Sequence, residues 1–467
     1  MKWKLLTPAL WAAFLLMGAL FITSCNKDDD PTDEEKQIEK IIDETPVDPY
    51  TIAKKLVDLA GWPEEEELDL DLGNIELLNY KREVIFGDIV HYSVEVAVGT
   101  HQYDKIRIHR LVKEATAGKP LLTEKNLFYQ HGDAKTFVGM LIPSYYSPSM
   151  PDGFGMGVYL AENGIDVWGV DQAWCFVPAD ATDFSYFQNY GIEKAARDMR
   201  NAMAVARIAR YLTGNAFGKM NLAGYSSAVP TGYAACDLET QLDPAQQHIK
   251  GYIPIDFLVA SDEDSMNLVW DEQLVISQVP YDAGQYELYV GFTLVGSLAR
   301  NDPGGASPVI PGFTNLEVAQ FFSSGTVFTH IPFHYWAAEY VSGFPGGDLK
   351  YITREQTYDF MESAIEYQPQ LFFIDYCKLA GNSHDSPFDD HIAQVKVPIL
   401  NLSAGGGCGE STKYWVGLTG STDVTHVIPS VESPDNILED FGHIDIFTAT
   451  NAETLAWQPL LNWLNAH

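Results

Sequence analysis

The amino-acid sequence predicts an α/β domain: a mostly parallel sheet with helices on both faces and a large inserted cap. Two observations carry this expectation. Short, continuously apolar runs alternate along the chain with segments of helical periodicity, the pattern of strands buried on both faces and joined by helices. Between the run that ends near Val259 and the one that begins at Val397 lie about 135 residues, far more than an ordinary connection. That stretch must carry structure of its own. Residues 51–259 and 396–467 are therefore expected to form two parts of one core, and residues 260–395 an insert, or lid, over it.

The elements follow in chain order. Arg82–Gly99 and Asp104–Glu114 are rich in β-branched and alternating apolar residues and are separated by a short turn, which reads as an opening antiparallel pair. Asn126–Asp133 (NLFYQHGD) is a short apolar strand ending in a polar loop, and Ile165–Val170 is a buried strand after a helix stopped by Asn163-Gly164. Ile192–Leu212 has apolar residues at helical spacing and closes on Thr-Gly-Asn. Lys219–Ser226 reads as a strand running into a tight turn, and Val229–Leu238 as the helix that follows. Ile249–Val259 and Val397–Gly405 are further buried strands, Asp423–Val431 a weaker one, and Thr454–His467 an amphipathic terminal helix. In the insert, Phe321–Tyr340 and Gln368–Cys377 are dense in aromatics. Most of these are expected to form the insert's own core, with some lining a pocket. No repeat of solenoid or propeller period is visible.

The 467 residues are 46% hydrophobic, enough for a large buried core. A formal net charge of -35 would repel nucleic-acid phosphates and excludes nucleic acid as a partner. Twelve histidines and five cysteines show no C-x-x-C or H-E-x-x-H spacing, so no metal site is expected, and no cofactor is required.

The chain begins with two lysines, an apolar run from Leu5 to Ile22, and then Thr23-Ser24-Cys25, the layout of a secretory signal. The small residues before the cysteine resemble the lipobox of bacterial lipoproteins. That resemblance implies a signal peptide over residues 1–24 and lipidation of Cys25. An uncleaved membrane anchor is the alternative, because the run is nearly long enough to span a bilayer. The following NKDDD resembles the acidic tag of surface-exposed lipoproteins of the Bacteroidetes type, with a solvated charge run as the alternative. Residues 25–50 are acidic and poor in aromatics, the composition of a flexible tether. The expected location is a bacterial outer membrane or cell surface, with the membrane engaged through the N-terminal lipid. Disulfides are permitted there among Cys175, Cys236, Cys377 and Cys408, with the pairing open.

The chemistry centres on Asn221–Asp237, NLAGYSSAVPTGYAACD. Two serines stand at the turn from a strand into a helix. In a G-x-S-x-G elbow the serine is lifted above the sheet and its flanking positions must be small. Gly224 and Ala228 flank Ser226, and alanine adds only a methyl. Ser227 would be flanked by Tyr225 and Val229, which are too bulky, so Ser226 is the candidate nucleophile. Upstream, the His131-Gly132 step lets a loop bring a backbone N–H, that of Asp133, toward an acyl oxygen. The N–H of Ser227 would be the second oxyanion donor. His131 itself reads as a loop-shaping residue.

A hydroxyl nucleophile needs a base, expected last in chain order. His443, after a glycine in LEDFGHIDIF, fits better than His330 and His334 in the insert, His426 inside a strand or His467 at the end. The orienting carboxylate is expected in the loop after the strand VPILNLS. That loop reads AGGGCGEST, so Glu410 is the nearest acid, with Asp375 and Asp435 in reserve. Glu439 and Asp440 read as a solvated face.

In the order of YQHG, LAENGIDVWGVD, LAGYSSA, VPILNLSAG and FGHIDIF, with a long insert before the last strands, the chain resembles the α/β-hydrolase fold, and within it the acid lipases of the gastric and lysosomal kind. The resemblance covers the core from about Glu83 to the C-terminus but not the insert. It implies Ser226 as nucleophile, His443 as base, and the N–H groups of Asp133 and Ser227 as the oxyanion hole. Three departures stand out: Ala228 replaces the last elbow glycine, the acid is a late glutamate, and VDQAW replaces an Asn-Ser-Arg-Gly-like turn. The expected function is a serine hydrolase outside the cytoplasm, cleaving a small-molecule or lipid ester. A serine peptidase of the same fold and a non-catalytic binding lipoprotein are the alternatives.

Overall fold

The computed structural model describes residues 51–54, 77–325, 333–340 and 347–467. The expected signal peptide, Cys25 and the tether lie outside the described residues. The described residues form twelve strands: β1 (Leu77–Phe86), β2 (Ile89–Ala97), β3 (Lys105–Thr116), β4 (Lys119–Pro120), β5 (Asn126–Gln130), β6 (Asp166–Asp171), β7 (Met220–Tyr225), β8 (Ile249–Ile255), β9 (Glu287–Tyr289), β10 (Tyr367–Pro369), β11 (Ile399–Leu402) and β12 (Val424–Val427). The main sheet runs β1-β2-β3-β6-β5-β7-β8-β11-β12, with β4 paired to β3. From β6 to β12 every pairing is parallel; β1, β2 and β3 join as antiparallel strands.

The opening differs from its sequence-based expectation. Arg82–Gly99 is not one strand, because the chain reverses at Gly87-Asp88 and pairs Phe86 with Ile89. Gly87 sits at φ +57°, the left-handed conformation that a two-residue hairpin loop requires. The start is thus a three-stranded meander.

Both faces of the parallel strands are buried, which explains their continuous apolar runs. Leu127, Tyr129, Ala223, Ile253 and Leu400 project to one side, where the terminal helix Gln458–Ala466 contributes Leu460, Leu461 and Leu464. Their strand neighbours Phe128, Leu222 and Tyr252 project to the other, against Met199, Met203 and Ala206 of the helix Ile192–Leu212. Neighbouring residues of one strand therefore anchor opposite helical layers.

Between β8 and β11 the insert folds into helices Asp264–Asp282, Phe292–Asn301, Asn315–Ser324, Arg354–Glu362 and Gln370–Ala380, plus the small antiparallel pair β9–β10. Thr314 and Thr353 each close a reciprocal capping box with Glu317 and Gln356, which fixes where two of these helices start. Among the bonds that tie the insert to the core, Ile365 N donates to Ala134 O at 2.9 Å, and His443 N and Ile444 N donate to His334 O and Tyr335 O at 3.0 and 2.8 Å. Cys175, Cys236, Cys377 and Cys408 are all free thiols. Among the described residues no helix is long and apolar enough to cross a membrane.

Candidate active site

Strand β7 ends at Tyr225 and the helix Ala228–Glu239 begins after two intervening residues, Ser226 and Ser227. Ser226 bridges them at φ +54°, a left-handed conformation that costs a non-glycine residue about 1–2 kcal/mol. Bonds from Ser226 N to Ile255 O (2.9 Å) and from Val229 N to Ser226 O (2.8 Å) hold it there. The turn leaves no room for a side chain at Gly224 or Gly132. A Cβ on Gly224 would lie 2.7 Å from the Ala228 carbonyl oxygen, and one on Gly132 would lie 2.6 Å from the Ser226 Cβ. At Ala228 the methyl is accommodated, fully buried. Ser226 is half-buried, and its neighbour Ser227 is buried and in the αR conformation.

His443 lies close by. Its ring stacks on Tyr225 at 4.6 Å between centroids and is flanked by Phe333 (4.8 Å) and Tyr335 (6.0 Å) of the insert. Asp445, on the same loop, accepts from Gly442 N (2.8 Å) and Ala337 N (2.7 Å), so one buried carboxylate pins the histidine loop to the insert. Burial pushes its carboxyl up to about 7.

The carboxylate beside His443 is Asp256, not Glu410. His443 Nδ1 lies 2.7 Å from Asp256 Oδ2, with both side chains buried. Asp256 Oδ1 accepts from Ser403 Oγ (2.6 Å), Ala404 N (3.0 Å) and Cys408 N (2.9 Å). A buried charge needs such saturation. Glu410, the acid expected from sequence, keeps 74% of its side chain exposed and pairs with Lys413 at 2.5 Å. The glycine-rich loop does serve the acid, but as a cradle: a Cβ on Gly407 would lie 2.1 Å from Asp256 Oδ2. Asp375 instead accepts from Ile192 N (3.1 Å), and Asp435 is exposed.

The sequence does not single out Asp256, because Ile249–Val259 reads as one strand. The strand ends at Ile255, and Asp256 turns away at φ +48°. The available signal was a single charge inside the apolar run IPIDFLVA, which must find a partner if buried. Asp440, expected on a solvated face, is also buried: its carboxylate accepts from Val431 N (2.6 Å), Glu432 N (3.2 Å), Phe441 N (2.8 Å) and Ser430 Oγ (2.5 Å). It braces the loop leading to His443.

On the other side of Ser226 runs the loop His131–Lys135. His131 Nδ1 donates to Gly132 O at 2.7 Å while its Nε2 accepts from Gln172 N at 3.1 Å, which fixes the tautomer. Because C=O and N–H of a trans peptide point in opposite directions, holding the Gly132 carbonyl also aims the N–H of Asp133. Among the described residues neither Asp133 N nor Ser227 N donates a hydrogen bond. The Asp133 side chain accepts from Ser227 Oγ. Below the loop, Asp171 accepts from Phe137 N (2.7 Å) and contacts His109 Nε2 (3.0 Å) and Arg107 (3.3 Å). Burial works to raise its pKa, but the surrounding histidines and Arg107 hold the carboxyl well below the usual range.

Ligand-type atoms of His131, Asp171 and Cys175 fall within 4.8 Å of one another. The His131 nitrogens and the Asp171 oxygens already serve the hydrogen bonds above, so this cluster reads as a brace for the loop.

No protein-family model matches the chain, and no curated protein matches it either. Among solved structures it superimposes on a "putative lipase" from Sulfolobus solfataricus with a TM-score of 0.55 at 14% identity, over 84% of this chain and 99% of that one. An esterase from Thermogutta terrifontis gives 0.38 at 12% identity, over 80% and 98%. A monoglyceride lipase from Saccharomyces cerevisiae gives 0.36 at 12%, over 87% and 98%. The sheet order, the strained serine turn and the first superposition agree: this is the α/β-hydrolase fold.

Proposed function

We propose that this chain is a serine hydrolase that cleaves carboxylic esters outside the cytoplasm, with Ser226, His443 and Asp256 as its triad. The observation that carries the reading is the buried 2.7 Å contact of His443 Nδ1 with Asp256, beside a serine held at a left-handed turn. Asp256 holds the proton on Nδ1, which leaves Nε2 as the basic nitrogen. Ser226 Oγ attacks the ester carbonyl as its proton passes to Nε2. The N–H groups of Asp133 and Ser227 receive the developing oxyanion. His443 then protonates the leaving alcohol, and the acyl group remains on Ser226. Water, deprotonated by His443, attacks that acyl-enzyme and releases the carboxylic acid, restoring the serine. Every step uses only this chain's residues and water.

Aromatic walls contributed by Phe333 and Tyr335 support an apolar acyl or alcohol group. The name of the Sulfolobus neighbour supports the same class. The N-terminal pattern supports lipidation at Cys25, anchorage to a bacterial outer membrane or cell surface, and access to lipid or small-molecule esters there. A panel of p-nitrophenyl esters of rising chain length, run beside the matching p-nitroanilides, tests the substrate. Turnover is expected to favour esters at every chain length. Peak activity on the amides would replace this reading with the peptidase.

A further inference from the structure

A cleft of about 690 Å³ opens between the helices Ile192–Leu212 and Ala228–Glu239. The short side chains of Ala196 on one helix and Ala234 on the other face it, with Leu238 and Phe388 as further apolar lining. It lies apart from the catalytic residues. From Ala228 to Leu238 the helix rises about 15 Å away from the Ser226 turn, at 1.5 Å per residue.

The polar side of the cleft carries donors that the fold does not use. Asn201 and His248 line it and are only 7% and 4% exposed. Among the described residues the Asn201 side-chain amide makes no hydrogen bond, whereas a buried amide ordinarily has a partner. His248 Nδ1 lies 2.8 Å from Arg207 Nη1, and a guanidinium only donates. The imidazole proton is therefore on Nε2, which also has no partner among the described residues. Arg197 stands one turn before Asn201, so the two are neighbours on one helix face. It is exposed on the cleft and, among the described residues, has no carboxylate partner.

The remaining charges of the cleft are largely committed. Arg200 donates from Nε to Glu239 Oε1 at 3.2 Å and from Nη2 to Gln246 O at 3.1 Å. Glu239 also accepts from His248 N at 2.9 Å, which ties His248 to the wall that carries Arg197 and Asn201. Asp237 is taken by His391, whose backbone N donates at 2.7 Å and whose Nδ1 lies at 3.2 Å. Glu193, exposed one turn before Arg197, is the acid left to oppose an anion. One free cation and two unused N–H donors beside apolar walls match a singly charged anion on an apolar body. A dianion would meet Glu193 and Asp237 without a second free cation.

We infer that this cleft binds a carboxylate carried on a short apolar chain, received by Arg197, Asn201 and His248 Nε2 with its chain along Leu238 and Phe388. Because the cleft lies apart from Ser226, the inference does not depend on the hydrolase reading.

Isothermal titration of the full chain with octanoate and with octan-1-ol tests it, since the two share a chain and differ in the charged head. Octanoate is expected to bind with a Kd below about 1 mM, at least about tenfold more tightly than the alcohol. Arg197→Glu, at an exposed position, should weaken octanoate at least about tenfold and leave the alcohol within about twofold. Asn201→Leu, which keeps the size and removes the amide, should also weaken octanoate, while Glu193→Gln should strengthen it. A Kd for octanoate above about 1 mM, or equal affinity for acid and alcohol, overturns the inference. So does octanoate binding that Arg197→Glu leaves within about twofold, because the carboxylate is then held elsewhere on the chain.

Discussion

Two aspartates lie near the same histidine, and their surroundings differ. Asp256 is buried and saturated: one oxygen takes three donors from Ser403, Ala404 and Cys408, the other meets His443. Asp133 is exposed and accepts from Ser227. A carboxylate whose lone pairs are filled by the fold can only hold its neighbour in place. One left exposed shares its lone pairs with solvent. The contrast separates the acid that positions His443 from one that does not.

The largest effect that would break this comparison is at Asp256. In Asp256→Asn the three donors keep the amide oxygen, so the NH2 faces His443 and forces Nδ1 to accept. The proton then sits on Nε2, and the base is lost. A fall in kcat of about ten-thousandfold is expected, as for an orienting aspartate in a serine triad generally, with the protein still folded. Glu410→Gln, at an exposed surface pair, should change kcat by less than about twofold. The reverse ranking would return the acid to Glu410.

A third aspartate sharpens the comparison through stability. Asp445 is buried and accepts two backbone N–H groups on one oxygen, while among the described residues its other oxygen has no hydrogen-bond partner and no cation pairs with it. Its pKa is raised from 3.8 to about 7, so from about pH 4 to 7 the folded state keeps a proton that the unfolded chain releases. Stability from this group is full at low pH and is lost as pH rises through that window. Asp445→Asn keeps the acceptor oxygen and removes the titration. Measured by urea unfolding, the variant should gain roughly 2 kcal/mol on the wild type between pH 5 and 8. Parallel pH profiles would show that Asp445 is already ionised in the fold.

The parts of the molecule that were legible in sequence are those whose signals are local. The buried strands announce themselves as apolar runs, the Ser226 turn by the small residues around it, and His443 by its place after the last strand. Asp256 was not legible, because its partners arrive from a loop some 150 residues away in sequence. An acidic residue cut off from local partners looks like an interruption of a strand. The Gly87-Asp88 reversal was missed for the opposite reason: its turn signal was local, but apolar residues on both sides continued the pattern across it. The glycine-rich loop after β11 reads as the place that supplies an acid; in the fold its Ala404 and Cys408 supply N–H groups to one.

The most direct test of the serine-hydrolase account is labelling with a fluorophosphonate followed by peptide mapping, on the wild type and on Ser226→Ala. One adduct, on Ser226, is expected in the wild type and none in the variant. A folded wild type that does not label, or a Ser226→Ala variant that labels equally well, would contradict it.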